Sequence, residues 1–260
     1  MTITDKEQVD LPTPNGPMRM YIFRPAAPGR YPGVVLYSEI FQVTAPIRRT
    51  AALLAGHGFV VAVPEIYHEF LPAGTVLPYD QAGADKGNEL KTTKELASYD
   101  DDARAALACL KAHPACTGKL GVMGICIGGH LSFRAAMNPE VLAAVCFYAT
   151  DIHKHGLGKG MSDNSLARIK EIKGELMMIW GRQDPHVPRE GRAVVYNAIA
   201  DAGTNGLDDN GNGIVDELAE YDTLPPYQAP LRGVRILIRV YEPSSQQVRE
   251  ITVVQDFLPE

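Results

Sequence analysis

Apolar residues fall along this chain in short dense runs, separated by stretches whose apolar positions recur at helical spacing. The runs MRMYIF (18–23), GVVLYS (33–38), FVVAVPEIY (59–67), KLGVMGI (119–125), LAAVCFYA (142–149) and GELMMIWG (174–181) read as strands. Pro64 stops the third of them. Between them, helices are expected over 45–58, closing at Gly56 and Gly58, over 95–113, over 130–137, and over 189–203, ending at Gly203. In the second helix Leu96, Ala103, Leu107 and Leu110 fall on one side. Residues 68–90 are rich in Gly, Pro and Asp without a period, and predict a long surface excursion. Buried strands alternating with helices predict an α/β class chain with a mostly parallel sheet flanked by helices. Ligands bind such sheets beyond the carboxyl ends of the strands, so residues just after each apolar run carry most weight.

The alternation stops after Gly203. From residue 206 onward there are ten acidic residues and four arginines, with no lysine and no histidine. The stretch 205–222 is acidic and rich in Gly and Asn, and 225–233 is punctuated by prolines. RILIRVYEP and REITVVQDF then read as two strands around a Pro-Ser-Ser-Gln turn. Two parts are expected: an α/β domain over 10–205, and an acidic linker with a β-rich tail over 206–260.

A chain of 260 residues with 45% hydrophobic content can bury one sizeable core. The net charge of −6 and the lack of a basic cluster argue against nucleic acid. No run of about 18 apolar residues occurs, so no membrane span is expected. The opening MTITDKEQVD lacks the character of a signal peptide. Cys109, Cys116, Cys126 and Cys146 form no CxxC pair. Those features point to a reducing cytoplasm, with three of the cysteines acting as small buried apolar residues.

The fourth, Cys126, sits in GVMGICIGGH (121–130). A strand, then Gly-x-Cys-x-Gly, then a helix is the nucleophile-elbow arrangement with Cys in place of Ser. The tight turn needs glycines around the nucleophile, here Gly124, Gly128 and Gly129. The helix N-terminus that follows favours a thiolate, and the N–H of Ile127 can donate to an oxyanion.

VVLYSEIFQV (34–43), GICIGG (124–129) and WGRQDPHVP (180–188), in this order and spacing, resemble the dienelactone hydrolase family of cysteine α/β-hydrolases. The resemblance runs from about residue 10 to about residue 203 and implies an α/β-hydrolase fold. It implies Cys126 as nucleophile, Asp184 as triad acid, Glu39 as a carboxylate that takes part in activating the cysteine, and Ile40 as the second oxyanion N–H. It implies hydrolysis of a small carboxylic ester or lactone through an acyl-cysteine, with no metal or organic cofactor.

The chain departs from the family where the triad histidine belongs. In the family that residue follows the acid by roughly thirty positions; here the window holds DAGTNGLDDNGNGIVDELAE, and no histidine follows His186. His153 and His155, after the LAAVCFYA run, are the substitutes with the best position, while His130 is expected to be packed and His57, His68 and His113 to lie at the surface. The activity is therefore expected to be impaired, and the alternative is an inactive scaffold that serves as a binding module. Residues 208–217 resemble a calcium loop, with Asp208, Asn210, Asn212, Gly213 and Asp216 at its positions, but Ala219 stands where the bidentate Glu belongs.

Overall fold

The computed structural model describes residues 2–201, with side chains to residue 199, and the backbone of strands 233–242 and 247–256. The chain divides into two compact units, Met1–Glu220 and Tyr221–Glu260. The calcium-like loop lies outside the described residues.

The first unit holds a seven-stranded sheet. Its strands are β1 (Ile3–Thr13), β2 (Gly16–Pro25), β3 (Tyr31–Tyr37), β4 (Val60–Pro64), β5 (Cys116–Ile125), β6 (Val141–Phe147) and β7 (Glu175–Ile179), in the order β1-β2-β4-β3-β5-β6-β7. β1 and β2 form an antiparallel hairpin that joins β4 antiparallel; every later pairing is parallel. The strand β1 was not legible because its positions alternate with Asp, Glu and Lys, as an edge strand with one wet face must. The carboxyl ends of β3, β5, β6 and β7 lie along one edge of the sheet, and the residues that follow them form the candidate site.

Among the described residues five helices cover the faces: α1 (Ala45–Gly56), α2 (Gln81–Thr93), α3 (Leu96–Ala112), α4 (Ile127–Ala135) and α5 (Arg189–Asp201). One apolar cluster joins Leu107, Leu110, Leu120, Val122 and Phe133 on one face; a second joins Phe23, Leu36, Ile47 and Val63 on the other. Burying such a side chain is worth about 1.5–3 kcal/mol.

The helix α2 corrects the expectation of a loop over 68–90. Asp80 caps it, accepting the Gly83 N–H at 2.8 Å. Its glycines serve close packing: a Cβ on Gly87 would stand 2.7 Å from the carbonyl oxygen of Ile40. Composition alone read those glycines as loop.

β7 also departs from the pattern of strands buried on both faces. Among the described residues it is the last strand of its sheet, and Met177 is 57% exposed. In the second unit, β8 (Gly233–Glu242) and β9 (Gln247–Asp256) pair antiparallel, from Gly233 opposite Asp256 to Glu242 opposite Gln247. Among the described residues no helix is long and apolar enough to cross a membrane.

Candidate active site

The site is built on the junction of β5 and α4. Cys126 follows the last residue of β5 with φ 62° and ψ −122°. A non-glycine residue held there stores about 1–3 kcal/mol of strain, which the surroundings must impose. They do so through hydrogen bonds to β6 and the turn after it. The Cys126 N–H donates to the Phe147 carbonyl at 3.0 Å, and the Cys126 carbonyl accepts from Gly129 N–H at 3.0 Å and Thr150 N–H at 3.4 Å. The turn also brings backbones together without room for side chains. A Cβ on Gly124 would lie 1.9 Å from the Gly128 carbonyl oxygen, and one on Gly128 would lie 2.4 Å from that of Tyr37.

Burial is the largest influence on the Cys126 thiol and pushes it up. The Ile127 N–H and the Thr150 hydroxyl, both hydrogen-bonded to the sulfur, favour the thiolate; the charges of Glu39 and Asp151 oppose it. The net direction is upward. The Ile127 amide at the helix N-terminus acts in the expected direction, but burial and the two carboxylates outweigh it.

Glu39 stands two residues beyond β3. It is not hydrogen-bonded to sulfur; its Oε2 accepts the phenol of Tyr79 at 2.6 Å. Ile40 follows it, on the same sheet edge as Ile127. Asp151, after β6, is buried with φ 68° and binds Lys91 Nζ at 2.7 Å and Lys154 Nζ at 2.8 Å. Burial pushes its carboxyl up, but the two lysines outweigh that and hold it below the usual range.

The structure thus brings Cys126, Glu39 and Ile127 together. Asp184 lies on the loop after β7, where its Oδ1 accepts the N–H of His186 at 2.8 Å. Among the described residues no histidine side chain meets Asp184, and none hydrogen-bonds Cys126. His153 packs on α5: a Cβ on Gly191 would stand 2.6 Å from its Cδ2. Burial, then the Lys154 charge, push its imidazole down. His155 is exposed.

Two histidines expected at the surface are not there. The His68 side chain is buried and its Nε2 lies 3.0 Å from Asp102 Oδ1, while His113 Nε2 lies 2.9 Å from Glu7 Oε1. His130 is packed as expected, 3.0 Å from the Ser165 hydroxyl. Sequence reasoning missed Tyr79, Thr150, Asp151 and Lys91. Thr150 and Asp151 follow a strand end, the position to which the sequence reading gave most weight; the signal was present and unused. A cleft of about 390 Å³ beside Glu7, Arg24 and His113 lies toward the opposite edge of the sheet, where β3 and β5 begin.

The model of the dienelactone hydrolase family matches residues 18–206. The chain belongs to that family. A Saccharomyces cerevisiae protein assigned as a carboxymethylenebutenolidase is 43% identical to this hydrolase over 194 residues, 72% of this chain and 71% of the yeast protein. The carboxymethylenebutenolidase of Pseudomonas putida is 27% identical over 164 residues, 63% of this chain and 65% of that one. Among solved structures, a Klebsiella pneumoniae protein assigned as a dienelactone hydrolase is similar with a TM-score of 0.65 at 22% identity, covering 78% of this chain and 82% of that one. A dienelactone hydrolase-like promiscuous phosphotriesterase from metagenomic libraries is similar with a TM-score of 0.60 at 20% identity, covering 78% of each chain. At such identities these two speak for the fold, an α/β-hydrolase with a mostly parallel seven-stranded sheet flanked by helices.

Proposed function

We propose that this hydrolase cleaves a small carboxylic ester or lactone through an acyl-cysteine on Cys126. The observation that carries the reading is Cys126 itself: an L-residue held at φ 62° between β5 and α4, with the Ile127 N–H and the Thr150 hydroxyl on its sulfur. Strain of this kind is retained where it aims a side chain at substrate. The relatives named carboxymethylenebutenolidase give the substrate class, a lactone.

In the first half, Sγ attacks the carbonyl carbon and the thiol proton passes to Glu39. The N–H groups of Ile127 and Ile40 receive the oxyanion. The C–O bond then breaks, and the leaving oxygen takes the proton back from Glu39. In the second half water adds to the thioester and the C–S bond breaks, returning the thiol. Asp184, in the position of the triad acid, has no imidazole to orient. Losing a general base costs about 10²–10⁴-fold. The first half survives this better than the second, because a thiol reaches its nucleophilic form more readily than a hydroxyl does. Over 10–205 the chain is the hydrolase, working in the cytoplasm without metal or organic cofactor. The part from 206 onward is an appendage of another character, in which 208–217 is at most a weak calcium site.

p-Nitrophenyl acetate tests the reading. The expected trace is a burst of about one equivalent of p-nitrophenol, then slow turnover, with the burst absent in Cys126→Ala. A burst that survives in Cys126→Ala removes this cysteine from the chemistry. Binding of substrate without any acylation favours the inactive scaffold instead.

A further inference from the structure

Two donors reach the Cys126 sulfur, the Ile127 N–H and the Thr150 hydroxyl. The N–H cannot stay with sulfur through the reaction, because the oxyanion claims it. The Thr150 hydroxyl has no such second task. Backbone contacts build it into place: the Thr150 N–H donates to the Cys126 carbonyl at 3.4 Å, and the Phe147 carbonyl accepts the Cys126 N–H at 3.0 Å. The turn lies so close to α4 that a Cβ on Gly129 would stand 2.6 Å from the Phe147 carbonyl oxygen and 3.0 Å from Ala149 Cα. On either side of Ala149 and Thr150 the backbone carries positive φ, 48° at Tyr148 and 68° at Asp151, so the chain is bent there against its preference. Thr150 is buried, and its branched side chain has few rotamers open to it. None of the seven histidines, the last of which is His186, hydrogen-bonds Cys126 among the described residues.

We propose that Thr150 is a catalytic residue, the hydroxyl that donates to Sγ whenever the sulfur carries charge, and so stabilises the thiolate both as attacking group and as leaving group. This rests on the reading of Cys126 as nucleophile. As the thiolate forms and attacks, the Ile127 N–H turns to the carbonyl oxygen and Thr150 remains on the sulfur. In the acyl-enzyme that sulfur belongs to a neutral thioester and is a weak acceptor. Water then adds to the carbonyl carbon, the C–S bond breaks and its electron pair stays on Sγ. There the Thr150 hydroxyl receives the growing charge, and one proton of the added water ends on Sγ to restore the thiol. A hydrogen bond to a thiolate is about twice as strong as one to a neutral sulfur, so Thr150 binds the transition states more tightly than the states between them. It supplies at the sulfur the charge stabilisation for which this chain has no imidazolium.

The test compares Thr150→Val, which puts a methyl where the hydroxyl was, with Thr150→Ser, which keeps the hydroxyl, in the full chain. The other groups that act with Cys126 stay in place: Glu39 after β3, Asp151 with Lys91 and Lys154, and the buried Tyr67 phenol, which donates to the Gly87 carbonyl at 3.0 Å. The first readout is the pH profile of Cys126 alkylation by iodoacetamide, followed by mass spectrometry. Thr150→Val is expected to raise the midpoint by about one pH unit, and Thr150→Ser to return it to the native value. The second is p-nitrophenyl acetate, where the burst rate and the slow turnover are both expected to fall about tenfold to a hundredfold in Thr150→Val and to recover in Thr150→Ser. Should the valine variant fail to fold, Thr150→Ala leaves a gap in place of the methyl and must shift the midpoint the same way. A midpoint that stays at the native value without the hydroxyl, or a serine variant as slow as the valine one, overturns the role of Thr150 and leaves the Cys126 burst standing. A native protein with no burst at all overturns the reading of Cys126, and this role with it.

Discussion

Lys91 Nζ lies 2.7 Å from Asp151 Oδ2, so a lysine on α2 clasps one of the two carboxylates whose charge acts on Cys126. Asp151 opposes ionisation of Cys126, and the lysine offsets part of that opposition. Lys91→Met leaves a buried carboxylate with Lys154 alone. Cys126 is expected to become still harder to ionise, and its alkylation at pH 7.5 to slow by about threefold to tenfold, read by mass spectrometry. An unchanged rate would mean that Asp151 does not reach the sulfur.

Arg134 on α4 gathers carboxylates beneath the elbow. Its guanidinium bonds Asp100 at 2.7 Å and Asp163 at 3.1 Å. Burial acts most strongly on Asp163 and upward, but the hydrogen bonds from His130 and Ser165 and the charges of His130 and Arg134 outweigh it and hold the carboxyl down at about 2. A folded-state value below the unfolded one stabilises the protein at pH above the unfolded carboxyl's range. That contribution, about 2 kcal/mol, is lost as pH falls from about 4 through 2. Arg134→Met leaves buried charge unpaired and is expected to cost about 3–5 kcal/mol at pH 7, with a smaller deficit at pH 3.5. Urea midpoints at the two pH values check both statements.

His68, Glu69 and Asp102 offer ligand atoms within 4.8 Å of one another, an arrangement that could hold a metal ion. Lys94 Nζ is already there, 2.6 Å from Asp102 Oδ2 and 2.7 Å from Glu69 Oε1. The ammonium takes the place of a cation. The native protein should therefore show no thermal shift with Zn²⁺ from this cluster. Lys94→Ala is expected to lower Tm without metal and to recover part of the loss when Zn²⁺ is added. Recovery of nothing would show that the three side chains do not converge without the lysine.

Two glycines should answer oppositely to alanine. At Gly124 the new methyl would meet the Gly128 carbonyl oxygen at 1.9 Å, so the elbow must open or the chain must not fold. At Gly56, the last residue of α1, nothing lies within 4 Å. Gly56→Ala is expected to stabilise by about 0.4–1 kcal/mol, chiefly by restricting the unfolded chain. Thermal melts decide both.

The strands β2 to β7, the helices α1, α3, α4 and α5, and the tail hairpin were legible because each rests on a local signal: an apolar run, a helical stripe, or a turn between two runs. β1 and α2 were not. The first shows only weak alternation, and the second hides under glycines whose purpose is contact with Pro78 and Ile40, which lie outside the helix. Buried polar clusters were equally out of reach. Nothing local says that His68 meets Asp102, 34 positions away, or that Arg134 meets Asp163.

By itself, then, the sequence determined the class of sheet, the tight turn around Cys126, the sheet edge that carries the candidate site and the family that shares this order of motifs. These depend on neighbours a few positions apart, where covalent geometry and the side-chain period decide. Only the tertiary structure decided the state of the site: a thiol pushed up by burial, Glu39 held by Tyr79 from forty residues away, Asp151 clasped by Lys91, and His153 turned onto Gly191. Ionisation and hydrogen-bond partnership are set by whatever lies within a few ångströms, and folding brings together groups that lie far apart along the chain.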